Sequence, residues 1–156
     1  MTVGNCCFIS DLHLFSRRPH SEWCMGQIAQ AADVVQIIVL GGDIFDFKWN
    51  TLWSVGNTVR AAIEWLDELL TTYLDSDFHY ILGNHACASS FVERLSELAE
   101  TKANLSRHRY LLRSGDSIFL HGDWPMAEWI SRQWRNIANH GATESERAAW
   151  PTCCTT

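Results

Sequence analysis

The stretch Val34-Val-Gln-Ile-Ile-Val-Leu-Gly-Gly-Asp-Ile-Phe-Asp46 joins an apolar run to a polar turn. The run from Val34 to Leu40 is short and rich in β-branched residues, which predicts a strand that is buried on both faces. Two glycines and two aspartates follow this strand closely. Ligands of open α/β sheets bind beyond the carboxyl ends of the strands, so we expect the chemistry of this protein to lie at this turn.

The rest of the chain alternates predicted strands and helices. Apolar residues recur at three- and four-residue steps between Val55 and Leu74, which indicates an amphipathic helix. Ser90 and Glu93 have the spacing of a capping box, which predicts a helix start at this point. The full set of predicted strands is Cys6–Ser10, Val34–Leu40, Phe78–Leu82, Tyr110–Arg113 and Ser117–Leu120, and the predicted helices are Glu22–Ala32, Val55–Leu74, Ser90 to about Glu100, and Pro125–Ile137. This order predicts an α/β layered sheet that is mainly parallel in its first half, with a hairpin turn at Ser114–Asp116.

Polar side chains follow four of these strands. A set of carboxylate, amide and imidazole groups from separate loops suits a hard or borderline cation, and no thiolate is needed. Each residue taken alone has a structural explanation, such as a loop cap for Asp11 or a core position for His121. Their joint occurrence at four strand ends favours a metal site. The residues concerned are Asp11, His13, Asp43, Asp46, Asn84, His85 and His121.

The order of these motifs resembles that of the calcineurin-like metallophosphoesterases. The family pattern runs D-x-H, G-D-x-x-D, G-N-H-D/E, H and finally G-H-x-H. The first four blocks stand here as Asp11-Leu-His13, Gly42-Asp-Ile-Phe-Asp46, Gly83-Asn-His85 and His121, over a span from about Cys6 to Asp123. The resemblance implies a layered αββα sandwich and a metal-dependent phosphoester hydrolase.

The resemblance also implies a role for each matched residue. Asp11 and His13 would hold the first of two divalent metal ions, and Asn84 with His121 would hold the second. Asp43 would bridge both ions, while Asp46 would orient its loop rather than bind metal. His85 would be the catalytic residue beside the substrate, while a hydroxide shared by the ions attacks phosphorus. Manganese is the expected metal, with iron and zinc as alternatives.

The sequence departs from the family pattern in two places. Ala86 stands where the family usually has a carboxylate that orients the preceding histidine, and no G-H-x-H block follows His121. We therefore expect a truncated product whose sandwich is incomplete at the C-terminus. In this interpretation, residues 1–123 are the N-terminal part of the metallophosphoesterase core, and residues 124–156 are a Trp-rich helical cap segment with a disorder-prone tail.

The substrate hypothesis depends on the residues in and around the motifs. Ser10-Asp-Leu-His-Leu14 and Leu120-His-Gly-Asp123 resemble the branch that contains UDP-2,3-diacylglucosamine pyrophosphohydrolases, although strict members have arginine and aspartate where this chain has His85 and Ala86. The expected substrate is a phosphoester or a UDP-diacylglucosamine-like pyrophosphate, with peripheral contact to its lipid. Two alternatives stay open: a nucleotide or nucleic-acid phosphodiesterase, and a catalytically weak or inactive remnant.

Composition limits the partners and the compartment. A formal net charge of -6 argues against a stable nucleic-acid partner, because binding phosphates requires clustered basic residues. The six cysteines form no C-x-x-C pair, and the chain has no signal-peptide pattern and no run of about 18 apolar residues, so we expect a cytoplasmic protein. An exposed sheet face or edge would allow oligomers to form. His79 and His108 match no motif and are assigned structural roles.

Overall fold

The strands and helices alternate through most of the chain. The computed structural model describes residues 5–17, 21–85, 88–114 and 117–121. Within these ranges the elements in chain order are β1 (Cys6–Ile9), α1 (Ser21–Ala32), β2 (Ile37–Gly41), α2 (Val55–Thr72), β3 (Asp77–Ile81), α3 (Ser89–Thr101), β4 (Leu105–His108), β5 (Leu111–Ser114) and β6 (Ser117–Leu120).

The first four strands form one parallel sheet in the order β1-β2-β3-β4. Leu40 of β2 pairs with Ile9 on one side and with Tyr80 on the other. Each connection steps in the same direction, and crossovers between parallel strands are right-handed, so all three helices pack on one face of this sheet. The carboxyl ends of the four strands therefore share one edge.

Aromatic rings fill the layer between the sheet and the helices. Phe45 lies at the centre of this layer and is fully buried. Tyr80 comes from the sheet and Phe91 from α3, and the ring of each lies against Phe45 with centroid distances of 6.3 and 5.7 Å. The same core cluster contains Ile28 of α1 and Leu66 of α2. Phe45 is two residues from Asp43, so the core also fixes the turn that carries this aspartate.

The opposite face of the sheet packs against the β5–β6 hairpin. β5 and β6 pair antiparallel, as expected. Val39 and Ile81 of the sheet form a second buried cluster with Leu112 of the hairpin. Phe8 of β1 stacks on Phe119 of β6 at 5.5 Å between ring centroids. Helices on one face and strands on the other confirm the α/β class and the layered arrangement typical of a metallophosphoesterase fold.

Three local predictions were wrong, and each has a physical reason. β4 was missed because Leu105 is its only buried residue, as is usual for a strand at the edge of a sheet. β2 begins at Ile37 rather than at Val34, because the N–H groups of Val34 and Val35 bond to the carbonyl of Ala31 and extend the end of α1.

The capping box was the third error. Helix α3 begins at Ser89 and its N-cap is Ala88, which makes no side-chain cap, so Ser90 already lies inside the first turn. A side-chain cap occurs instead at α2, where Ser54 Oγ accepts a hydrogen bond from the backbone N–H of Asn57 at 3.1 Å.

Several expectations concern residues outside the described ranges. They are the turn at residues 115–116, the residues Ala86 and Cys87, the helix Pro125–Ile137, and the Trp-rich segment and tail of residues 124–156. The division into residues 1–123 and 124–156 and the incomplete C-terminus remain predictions. Among the described helices, none has both the length and the apolar character needed to cross a bilayer.

His79 and His108 contact each other on adjacent strands of the sheet. His79 Nδ1 lies 3.0 Å from His108 Nε2, so one ring donates an N–H and the other accepts it. Burial and then the neighbouring His79 lower the pKa of His108 from its ordinary 6.5 to about 4. Burial also lowers the pKa of His79, and Asp77 opposes this shift. Protonation of both rings would leave no acceptor for this bond and would place two positive charges side by side, so the folded protein disfavours the doubly protonated pair.

This pair makes stability depend on pH. Below its ordinary pKa of 6.5 the unfolded His108 binds a proton that the folded His108 refuses until about pH 4, so the free energy of unfolding falls as the pH drops through that window. After a discount for the partly exposed rings, we expect a loss of roughly 2 kcal/mol between pH 7 and pH 4. Urea unfolding at a series of pH values should show a shallower dependence in His108→Gln. The control Arg107→Gln, an exposed neighbour, should keep the original dependence; an unchanged slope in His108→Gln would contradict this account.

Candidate metal centre

The loops after β1 and β2 run side by side at the carboxyl edge of the sheet. The backbone N–H of Asp11 donates to Gly42 O at 3.1 Å, and that of His13 donates to Asp43 O at 2.9 Å. Leu14 continues the series by donating to Ile44 O at 2.7 Å. These bonds extend the pairing of the strands into the two loops, so the backbone fixes the separation of their polar side chains.

Three of these polar residues have a left-handed backbone. The φ angles are 57° for Asp11, 49° for His13 and 48° for Asp43. A residue other than glycine pays roughly 1–2 kcal/mol for this conformation, and it persists only where the surrounding structure enforces it. Strained residues of this kind cluster at functional sites, which makes these loops the first candidate for one.

Two glycines leave room for the side chains at this edge. A Cβ atom on Gly83 would lie 2.3 Å from Asp43 Oδ1 and 2.5 Å from Asp43 N, closer than real Cβ atoms approach. A Cβ atom on Gly42 would lie 2.5 Å from the ring of His121, and the φ of Gly42 is +83°. The side chains of Asp43 and His121 therefore occupy space that only glycine leaves free.

One group of possible metal ligands consists of Asp11, His13 and Asp43. Each offers a ligand atom, and these atoms all lie within 4.8 Å of one another. Two carboxylates and an imidazole suit manganese, iron or zinc. Asp11 is exposed while His13 and Asp43 are buried, so the group opens to solvent on one side. This donor set fits a divalent cation.

Asp46 positions two histidines and its own loop. His13 Nδ1 lies 3.2 Å from Asp46 Oδ2, and the backbone N–H groups of Lys48 and Trp49 donate to Asp46 Oδ1 at 3.0 and 2.8 Å. His85 Nδ1 lies 3.7 Å from the same Oδ1 atom. Burial would raise the pKa of Asp46, but the bonds from Trp49 and His13, the charge of His85 and the bond from Lys48 together lower it.

His13, Asp46 and His85 also meet the geometric requirement for a metal site. The oxygens of Asp46, however, already accept bonds from two backbone N–H groups and from His13. A metal-binding histidine commonly donates its other ring N–H to a carboxylate, which fixes the tautomer. Asp46 fits this orienting role better than a ligand role, and it leaves Nε2 of His13 available.

Asp43 connects the first ligand group to the other predicted residues. His121 Nε2 lies 3.2 Å from Asp43 Oδ2, and the backbone N–H of His85 donates to Asp43 Oδ1 at 2.8 Å. Burial alone would raise the pKa of Asp43, which is only 3% exposed. The bonds from His121 and His85 and the charges of these histidines outweigh burial and lower this pKa, so Asp43 is an anion at neutral pH.

Asn84 and His85 border a cleft next to this centre. The cleft has a volume of about 370 Å³, and its other lining residues are Phe47, Lys48, Val55 and Ala88. The ring of His85 meets the ring of His13 edge-on, with 4.9 Å between centroids. The cleft therefore brings solvent, and any ligand in it, to the histidine that sequence motifs single out for catalysis.

The predicted site residues lie around Asp43. Asp11 and His13 form a group with it, His121 and the backbone of His85 contact it, and Asn84 borders the adjoining cleft. Metal binding by these residues stays a prediction. Sequence reasoning assigned Asp46 to its loop but missed its contacts with His13 and His85; its place in the G-D-x-x-D block was the available signal.

Tyr80 lies in the core beneath this edge. Its side chain is fully buried, and its hydroxyl has no hydrogen-bond partner among the described residues. Burial, and then the charge of Asp43, raise the pKa of Tyr80 well above its ordinary value. The hydroxyl is thus neutral and costs desolvation energy with no bond in return.

Comparison with known families gives an independent result. Residues 5–151 match the family model of the calcineurin-like phosphoesterases. The search of curated proteins found no match to this chain. The family match covers all the residues assembled around Asp43.

Gly83→Ala should damage this centre, because its Cβ atom would meet both the carboxylate and the backbone nitrogen of Asp43. The added methyl group would displace the carboxylate of Asp43, so we expect the affinity for Mn²⁺, measured by isothermal titration calorimetry, to fall by about 10- to 100-fold. Gly26→Ala is the matched control, because a Cβ atom there meets nothing within 4 Å in helix α1. It should keep the affinity and raise the free energy of unfolding by up to about 1 kcal/mol. Equal Mn²⁺ affinity in both variants would contradict the steric argument.

Tyr80→Phe removes the hydroxyl that lacks a partner. The free energy of unfolding of the metal-free protein should stay equal or rise by up to about 1 kcal/mol, as measured by urea denaturation. Tyr73→Phe, which alters a partly exposed tyrosine, serves as the control and should have almost no effect. A loss of more than about 1 kcal/mol in Tyr80→Phe would mean that the hydroxyl is bonded in solution.

Proposed function

Because the chain belongs to the calcineurin-like phosphoesterases, which are hydrolases of phosphoester bonds, we propose that the residues around Asp43 form a dinuclear metal centre. The observation that carries this proposal is the group Asp11, His13 and Asp43, whose ligand atoms lie within 4.8 Å of one another. His121 adds to this group, because its Nε2 lies 3.2 Å from Oδ2 of the same Asp43 carboxylate.

Asp43 is the proposed shared ligand. Two cations about 3.5–4 Å apart repel each other, and an anion between them offsets the repulsion. Asp43 supplies this anion, since its pKa is lowered despite burial. One carboxylate oxygen faces the backbone of His85 and the other faces His121, so the two oxygens are directed to different sides of the site. This arrangement supports a bridging role.

Separate residues would complete each half of the centre. We assign Asp11 and His13 to the first ion and Asn84 and His121 to the second. Two manganese ions are the proposed cofactors, and iron or zinc fits the same donors. When bound, the ions would polarise the phosphoryl group and lower the pKa of the attacking water.

His85 is the proposed catalytic residue. It lines the cleft, and its backbone N–H donates to the Asp43 carboxylate, which fixes the backbone of His85 beside this carboxylate. Its ring Nδ1 is buried, has no hydrogen-bond partner among the described residues and lies 3.7 Å from Asp46. If the ring of His85 moved toward Asp46, its Nδ1–H would donate to that carboxylate. Nε2 would then carry the proton that is given to the leaving oxygen. Asp46 would thereby replace the carboxylate that Ala86 lacks.

The proposed substrate is a phosphodiester or a pyrophosphate. A UDP-diacylglucosamine-like compound remains the specific hypothesis, on the strength of the motifs around His13 and His121. The formal net charge of -6 disfavours stable binding of a nucleic acid, although a nucleotide diester would fit the same chemistry.

Asp43→Asn should remove the activity. With added Mn²⁺ we expect hydrolysis of bis-p-nitrophenyl phosphate by the original protein, and roughly a 10³-fold lower kcat/KM in the variant, because the two ions lose their shared anion. Asp67→Asn is the control, since Asp67 is a half-exposed carboxylate of helix α2 that pairs with Lys102 at 2.8 Å. Its activity should match the original.

Metal titration separates the outcomes of this experiment. Calorimetry should give two Mn²⁺ ions per chain in the original protein and weaker binding in Asp43→Asn. Absence of turnover at every metal concentration would rule out the hydrolytic function proposed for this chain and favour an inactive remnant. Full activity in Asp43→Asn would remove the bridging role.

A further inference from the structure

The loop between β2 and α2 presents large aromatic side chains to solvent. Trp49 is 63% exposed and Trp53 is 96% exposed. Single exposed apolar residues are common, but two indoles in one short loop beside a catalytic cleft require an explanation.

The loop is held in place by hydrogen bonds. Asp46 accepts the backbone N–H groups of Lys48 and Trp49. The side chain of Asn50 donates to Phe47 O at 2.9 Å, and the backbone N–H of Thr51 donates to Phe15 O at 2.7 Å. The exposure of Trp49 is therefore fixed by an ordered backbone, which presents the indole at a defined position.

Lys48 and Trp49 form a pair at the border of the cleft. Lys48 lines the cleft together with His85, and its ammonium group lies 5.6 Å from the centroid of the Trp49 ring. This distance is within the range of a cation–π contact. The pair places a positive charge and a flat aromatic surface next to the cleft that His85 also lines.

We propose that the Lys48–Trp49 pair binds the group that stays on phosphorus when the leaving group departs, and that it selects a flat aromatic group at that position. This inference rests on the proposed hydrolysis at Asp43 and adds the substrate class. Lys48 supplies a charge complementary to the phosphate, and Trp49 supplies a surface on which a ring stacks. An alkyl chain would gain no stacking and would displace water from the ammonium group, which is unfavourable.

The size of the cleft agrees with this class. Its 370 Å³ lies near the lower end of the roughly 300–1,000 Å³ of small-molecule sites. Phe47, Val55 and Ala88 give it an apolar wall, and Asn84 and His85 give it a polar end. An aromatic ring with one attached phosphate fits this cleft, with the ring against the apolar wall and the phosphate at the polar end.

Two diesters with one leaving group test the selection. p-Nitrophenyl phenyl phosphate and p-nitrophenyl methyl phosphate release the same phenolate and differ only in the group that stays on phosphorus. Trp49→Ala should lower kcat/KM about tenfold for the phenyl diester, in line with the loss of one stacking contact, and leave the methyl diester within about twofold. Trp49→Phe should restore most of the loss.

The matched control is Trp23→Ala. Trp23 is 65% exposed, nearly the same as Trp49, but it lies in helix α1 outside the loop. Both diesters should react with this variant as with the original protein. Equal losses for the two diesters in Trp49→Ala, or no loss for either, would overturn the selection of an aromatic group.

Binding measurements separate this inference from the proposed hydrolysis and identify the source of the ring. Calorimetry with Mn²⁺ present compares uridine 5′-monophosphate, phenyl phosphate and dodecyl phosphate. Trp49→Ala should weaken the first two about tenfold and leave dodecyl phosphate unaffected. Stronger binding of uridine 5′-monophosphate than of phenyl phosphate would identify a nucleobase. Trp49-dependent binding of dodecyl phosphate would overturn the proposal in favour of an alkyl site, whereas ring binding without any turnover would contradict only the hydrolysis.

Discussion

The position of the Asp43 carboxylate is the constraint on which the whole site depends. Its backbone is left-handed, its side chain fills space that Gly83 leaves free, and its two oxygens accept bonds from different loops. Phe45 anchors the same turn in the core. A buried carboxylate is costly unless it is paired, so the loops that carry His85 and His121 are drawn to this one anion. The centre is consequently assembled by the fold, and cations would enter a site whose donors already converge.

Each of the two buried aspartates has a histidine as a close partner. Asp43 faces His121 and Asp46 faces His13, with 3.2 Å between the paired atoms in each case. Removing one partner of a buried pair leaves the charge of the aspartate without compensation, which is strongly unfavourable. The two pairs would respond differently to metal binding. Cations at Asp43 would replace the stabilising contact of His121, while the contact between Asp46 and His13 leaves the far nitrogen of the imidazole free and can persist when metal binds.

The sequence predicted the parallel sheet and the convergence of the motif residues, because both follow from where polar groups stand relative to apolar strands. Asp11, Asp43, Asn84 and His121 follow β1, β2, β3 and β6, and their strands bring them to one region. Features that depend on tertiary packing were not predictable. The edge strand β4 has too few apolar residues to be recognised, and the left-handed backbone of Asp43 has no local signature. The contact of Asp46 with His13 spans 33 residues and appears only when the two loops align.

Asp46 contacts both the proposed metal centre, at His13, and the loop that carries Trp49. One of its oxygens contacts His13, in the proposed metal centre, and the other accepts the backbone N–H groups of Lys48 and Trp49, in the loop that would receive the organic group. The proposed metal centre takes its residues from the ends of several strands, so the position of each proposed ligand depends on the sheet. The loop that carries Trp49 is one local segment, held by Asp46 and by the bond from Thr51 to Phe15. Such a segment can change its exposed side chains while Asp46 keeps its contacts with His13 and with the loop backbone, so we expect the general reaction to depend on the fold and the choice of substrate to depend on this loop.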